Sequence, residues 1–249
     1  MSGEYTYLFV DLGCFLIPFI ASFHPKLQFH RNFFPHLLLA LSGTMLLFIP
    51  WDVLFTHWKI WAFSEKYTLG IPILNLPLEE WLFFVCIPFA CVFTYECMKY
   101  FFPKLSMLKG GRSLAIVVAL VFLLIAFTHI NQAYTFSAHL LCALLLLYHA
   151  LKNSKWLLTF FVMYIIVFPA FIISNGILTG LNFWQYDLIL TNPSVISDQI
   201  VWYDNAENLG VRIFSVPMDD VSYGMLMLLL NVTIYEYSLK KFGKQNPVL

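Results

Sequence analysis

The sequence predicts an all-α integral-membrane fold of about seven transmembrane helices, set out as two parallel three-helix repeats joined by one linking helix. Three observations carry this reading. The residues are 60% hydrophobic and 11% charged, with a mean hydropathy of +0.77, a bilayer composition and not that of a soluble core. Apolar runs long enough to cross a hydrocarbon layer recur along the chain. The chain also aligns with itself.

Taken in order, the first run covers residues 5–23. No basic residue precedes it and no small-x-small cleavage site follows it, because "FIASFHPK" ends in the bulky Phe23 and then His24-Pro25. It reads as a span and not a cleaved signal peptide. The others cover 33–50, 78–98, 113–130, 134–151, 156–174 and 217–237. With the N-terminus outside, Lys26, Arg31, Lys99, Lys104, Lys109, Arg112, Lys152, Lys155, Lys240, Lys241 and Lys244 fall on one side, against Lys59, Lys66 and Arg212 on the other. The positive-inside rule then puts the chain in the cell membrane as a multi-pass protein with an external N-terminus and a cytoplasmic C-terminus. Cys14, Cys86, Cys91, Cys97 and Cys142 lie in or at the ends of spans without CxxC spacing and read as small packing residues.

At a shift of 140, Leu69-Gly70 meets Leu209-Gly210, Pro77 meets Pro217, Glu79-Glu80 meets Asp219-Asp220, and Tyr95-Glu96 meets Tyr235-Glu236. Upstream, "DVLFT" at Asp52 meets "NGILT" at Asn175, so the second half carries 17 extra residues in its loop. The chain reads as a duplication. Three antiparallel helices end on the side opposite their start, so two parallel repeats need one further crossing between them. Residues 1–98 form the first repeat, 99–133 the linking helix and 134–249 the second repeat. The charge asymmetry gives the same topology independently.

Pro77 and Pro217 suit a first helical turn, which places Glu79, Glu80, Asp219 and Asp220 at the starts of the third and seventh spans. A single acid there would be dipole complementarity. Two adjacent acids occurring twice call for more, since neighbours about 100° apart on a helix cannot both face solvent. Ionisable groups facing a membrane bundle are functional candidates, and close carboxyls can share a proton. Glu96 and Glu236 emerge about 28 Å further along, near Lys99 and Lys240, and suit helix-end hydrogen bonding or ion pairing, with a second polar site as the alternative. The aromatic loops between spans, with Trp51, Trp58, Trp61, Trp184, Trp202 and Tyr203, suit an interfacial belt and also the wall of an outer pocket over the acids.

Other chemistries lack their residues. The last span has no mid-membrane lysine for a retinal Schiff base, and no two histidines stand closer than six positions apart, so no metal site is expected. No glycine-rich dinucleotide fingerprint exists, so no flavin or nicotinamide site can be argued and no cofactor is expected. No nucleic-acid partner is expected either.

"PLEEWLFF" and "VPMDD", each closing a three-helix repeat, with Asp52 and Asn175 upstream, resemble the small integral-membrane lycopene cyclases of bacteria and archaea. Those occur as two subunits or as one fused chain, and the fused form is similar to the cyclase domain of fungal bifunctional enzymes. The resemblance covers residues 1–240 or so. It implies a carotenoid substrate, lycopene, held among membrane lipid, whose acyclic ends close to β-ionone rings (γ-carotene or β-carotene) without net redox change. It places Glu79 and Glu80 in the first catalytic motif and Asp219 and Asp220 in the second, with Asp219 standing where glutamate is expected. Protonation of a terminal alkene gives a tertiary cation, which aromatic faces such as Trp61, Trp81, Phe83, Phe84 and Tyr223 can stabilise without trapping it. Two other classes are open: a small transporter, whose three-plus-one-plus-three plan is the same but whose midplane should be polar, and a carotenoid-binding protein, which leaves the duplicated acids unexplained.

Overall fold

A computed structural model describes residues 3–242. Its helices are α1 (Thr6–Ala21), a short α2 (Phe29–Asn32), α3 (Phe34–His57), α4 (Leu78–Phe101), α5 (Gly111–Thr128), α6 (Ala133–Lys152), α7 (Leu157–Thr179) and α8 (Asp219–Phe242). Six helical stretches, 3–21 and α3 to α7, are long and apolar enough to cross a membrane. The seventh long helix, α8, has 24 residues but is more polar, with Asn231, Thr233 and Ser238 among its residues. It can be so because it is largely enclosed: Ser222, Asn231, Val232, Tyr235 and Ser238 are all buried. The fold is therefore an all-α multi-pass membrane fold. Lys244 and the end of the basic cluster lie outside the described residues.

Several helices run further than the apolar runs suggest, and two of the extensions bear on the site. The second span was expected to end at Pro50, yet α3 continues to His57 with Pro50 inside it. The sixth was expected to end at Ser174, yet α7 continues to Thr179 with Pro169 inside it. Neighbouring helices satisfy a carbonyl that proline frees, so a proline does not end a buried span. The extensions place Asp52 and Asn175 on helices.

The loops between spans hold short strands, which the all-helical reading did not contain: β1 (Trp61–Phe63), β2 (Pro72–Ile73), β3 (Leu76–Pro77), β4 (Ile189–Thr191), β5 (Val201–Tyr203), β6 (Val211–Ile213) and β7 (Val216–Pro217). β2 and β3 form a hairpin, as do β6 and β7, with β4 on the outer edge of β6. The two hairpins match in detail. Leu74 and Phe214 turn them at φ 59° and 55°, and Gly70 and Gly210 precede them at φ 70° and 66°, backbone that glycine adopts without strain. Leu78 N–H donates to Ile71 O and Met218 N–H to Val211 O, each at 2.9 Å. Pro77 and Pro217 close β3 and β7 and stand just before the helices, not within the first turn as expected. The hairpins thus aim the starts of α4 and α8, and the acids on them, inward.

Helix α4 packs on α1, α3, α7 and α8; α3 packs on α8, α6 on α8, and α5 on α6 and α7. One face of α5, with Val117, Leu120, Leu124 and Phe127, is exposed and suits contact with lipid. At the end of α4 far from the hairpins, Lys99 Nζ pairs with Glu96 Oε1 at 2.8 Å and Glu236 Oε1 at 3.0 Å. Tyr95 OH donates to the same Glu236 oxygen at 2.7 Å. One lysine, Lys99, pairs with both acids, in keeping with the helix-end pairing expected of them.

Candidate active site

A cavity of about 780 Å³ runs between α1, α4, α7 and α8. At its hairpin end it is lined by Asp52, Glu80 and Asp220 with Trp61, Tyr134, Tyr203 and Tyr223, and below them by apolar residues such as Val10, Ile87, Val167 and Met227. Its wall includes Phe9, Ile17 and Ile173, which are also exposed on the outer surface of α1 and α7. The cavity is therefore a greasy groove, open sideways between α1 and α7, with carboxyl groups at one end.

All four acids of the doublets are buried, so both members of each pair turn inward, where at least one was expected to. They divide by task. Glu79 Oε1 accepts the Leu69 N–H at 2.6 Å, and Asp219 Oδ2 accepts the Leu209 N–H at 3.1 Å. Neither lines the cavity; each ties its hairpin to its helix. Asp219 Oδ1 also accepts from Thr135 at 2.6 Å, a hydroxyl that compensates for the shorter side chain. Glu80 and Asp220 do line the cavity. Tyr7 OH donates to Glu80 Oε2 at 2.6 Å, and Tyr134 OH donates to Asp220 Oδ1 at 2.6 Å.

The upstream pair joins the same cluster. Asp52 stands beside Glu80 on the cavity wall and accepts from Tyr223 OH at 2.8 Å, while Asn175 Nδ2 donates to Asp220 Oδ2 at 2.6 Å. Tyr203 OH reaches the same Asp220 oxygen at 3.2 Å. Burial, then the nearby Asp220, holds the Tyr203 phenol well above its usual pKa, so it remains an O–H donor.

The aromatics separate in the same way. Trp61 stands 5.2 Å from Tyr134 and 6.0 Å from Tyr223, centroid to centroid, each near perpendicular. Phe83 lines the cavity. Phe84 is buried behind it against Phe48, and Trp81 faces away, its Nε1 donating to Ile73 O at 3.4 Å.

Four residues were not singled out from the sequence. Tyr7 and Tyr134 carry a signal, because each opens its half in a Tyr-x-Phe pattern that a shift of 127 superposes. Arg212 had counted only as a basic residue on the outer side. It is buried, donating to Ser215 O and Asn205 Oδ1 at 2.8 Å each. Its burial lowers the guanidinium pKa, which Asp220 and Tyr203 push back up. Asp11 is fully buried one turn beyond Tyr7, without a hydrogen-bond partner. Among the described residues no cluster of His, Cys, Asp and Glu has the arrangement of a metal site.

A sequence model of the family described as Lycopene cyclase matches residues 4–98 and 131–238, which takes in both hairpins and every residue of the carboxyl cluster. The chain belongs to the lycopene cyclase family. No curated protein and no solved structure matches it. Carotenoid cyclisation is accordingly the activity of this family, and in this lycopene cyclase family member the groove combines apolar walls with an acid end.

Proposed function

We propose that this chain closes the acyclic end groups of lycopene to β-ionone rings by acid catalysis, with no net redox change and no added cofactor. The observation that carries the proposal is the gathering of Asp52, Glu80 and Asp220 in one apolar groove with the rings of Trp61, Tyr134, Tyr203 and Tyr223. Protonation of the terminal alkene gives a tertiary cation, the next alkene attacks it, and loss of a ring proton restores neutrality. A carboxyl group can give and accept those protons. Aromatic faces stabilise the passing cation without bonding to it. Burial of the acid end keeps water from quenching it. The N-terminus is placed outside and the C-terminus in the cytoplasm on the charge asymmetry, which puts the hairpins and the acids at the external side.

A host that accumulates lycopene and receives this chain should turn from red toward orange or yellow. The new pigment should absorb at shorter wavelength with mass unchanged, since ring closure twists the terminal double bond out of conjugation. Unaltered lycopene in membranes that contain the folded protein would remove the reading. Purified protein in lipid should convert lycopene without added flavin or nicotinamide.

A further inference from the structure

The two carboxyl clusters differ in one chemical respect, and the difference bears on the cyclase reading above, on which this inference rests. Glu80 meets a second carboxyl, Asp52. Its counterpart Asp220 meets an amide, Asn175, through the Nδ2 donor at 2.6 Å. Two carboxyl groups hold together only with a proton between them. Tyr7 and Tyr223 donate to the pair from outside, at 2.6 and 2.8 Å, so the shared proton is the one the pair can give away. Asp220 is surrounded by donors alone: Tyr134 at 2.6 Å on one oxygen, Asn175 at 2.6 Å and Tyr203 at 3.2 Å on the other. That shell fits a carboxylate, which only accepts.

A buried carboxylate also needs a counter-charge. Arg212 supplies one. Among the described residues it makes no salt bridge, and its guanidinium carbon stands 5.8 Å from the ring centroid of Tyr203, the phenol that donates to Asp220. The first hairpin has Pro72 in the place of Arg212, so the cation serves one cluster only.

We propose that the Asp52–Glu80 pair is the proton donor of the cyclisation and Asp220 the base that ends it, with Arg212 as a positioning residue that keeps Asp220 ready to accept. The pair's proton adds to the inner, hydrogen-bearing carbon of the terminal alkene and leaves a tertiary cation on the dimethyl end carbon. The π electrons of the neighbouring alkene form the ring C–C bond and carry the charge into the ring. A ring C–H bond then breaks; its electrons become the ring double bond and its proton goes to Asp220. The substrate gains one proton and loses one. Asp220 releases its proton to solvent and the pair takes one back, so the cycle consumes none.

The test uses the whole chain in lycopene-accumulating membranes, with ring type resolved by chromatography and the amount of folded protein measured for each variant. Asp52→Asn keeps the volume and the Tyr223 contact but removes the shared proton, and turnover should fall about a hundredfold with ring type unchanged. Asp220→Asn leaves the donor in place but removes the base, so the cation should lose a proton elsewhere and give rings with a displaced double bond. Asn175→Asp, which makes the second cluster resemble the first, should shift ring type in the same direction and serves if Asp220→Asn does not accumulate. Arg212→Gln should move the activity profile toward higher pH, where the base is ionised without help, and Arg212→Lys should move it back; a purely structural role would lower activity at every pH alike. Full turnover in Asp52→Asn would overturn the donor assignment. Asp220→Asn and Asn175→Asp proteins that fold and still make only the parent ring would overturn the base. Absence of cyclic product from the unaltered chain would instead be a failure of the cyclase reading.

Discussion

Trp61 and Tyr203 sit directly opposite each other across the β1–β5 pair, with ring centroids 6.1 Å apart. This three-residue ladder ties the loop of the first half to the loop of the second, and both rings line the acid end of the groove. In the proposed cyclisation Trp61 contributes its π face to the passing cation as well as its volume. Trp61→Leu keeps burial but loses the face, and should lower turnover by about tenfold, whereas Trp61→Phe should retain most of it; cation–π contacts are worth roughly 0.5–2 kcal/mol. Equal rates for the two variants, measured per folded molecule, would leave Trp61 a packing residue.

Glu79 and Glu80 are neighbours with different partners, and their amide variants should separate. Glu79→Gln can still accept the Leu69 N–H, so it should retain activity and lose about 1 kcal/mol of stability. Glu80→Gln should lose turnover by about a hundredfold or more while the protein accumulates. Pigment analysis beside thermal unfolding in detergent checks both.

Asp198 joins the outer loops, accepting from Tyr67 OH at 2.5 Å and pairing with Lys66 Nζ at 3.0 Å. The Tyr67 and Lys66 hydrogen bonds, in that order, lower its pKa. A carboxyl held low in the folded state adds stability above its unfolded value, and this is lost as pH falls through the folded one, below about 4. Amide exchange in the outer loops should therefore speed up on acidification, and Asp198→Asn should flatten that dependence. An unchanged acid profile in the variant would count against the tie.

Lys99 neutralises Glu96 and Glu236 at the opposite end of the bundle. Lys99→Met leaves two carboxyls facing each other without their cation. The melting temperature should drop at neutral pH and recover partly on acidification, as protonation removes the repulsion. Turnover per folded molecule should stay near that of the unaltered chain, since the acid cluster is at the other end of α4.

A reporter fused after Leu249 should be cytoplasmic, and one inserted within residues 191–197 should be external. An external C-terminus would contradict the charge-based orientation.

Much of the membrane fold was legible because it depends on composition and on run length, which a single sequence carries in full. The acid doublets were legible for a related reason: charge is so rare in these spans that its repetition stands out. What the sequence did not separate is Glu79 from Glu80. They are adjacent and alike, and only the hairpin, by presenting Leu69 N–H to one of them, sends the first to the backbone and leaves the second for the cavity. The strands escaped because each has two or three residues, too few for an alternating pattern, and β1 finds its partner β5 beyond the four helices α4 to α7. Arg212 escaped because a basic residue in an outer loop looks solvated until Asn205 and Ser215 enclose it.

The groove is walled in part by Phe9, Ile17 and Ile173, side chains that are also exposed on α1 and α7. In the proposed cyclisation a long hydrocarbon with two identical ends would enter past these side chains one end first and leave by the same route. To have its other end processed it must back out, turn over in the bilayer and dock afresh, in competition with every untouched molecule nearby. The yield of doubly closed pigment is then a matter of traffic: scarce protein amid abundant substrate leaves mostly half-finished molecules, and crowded protein finishes them.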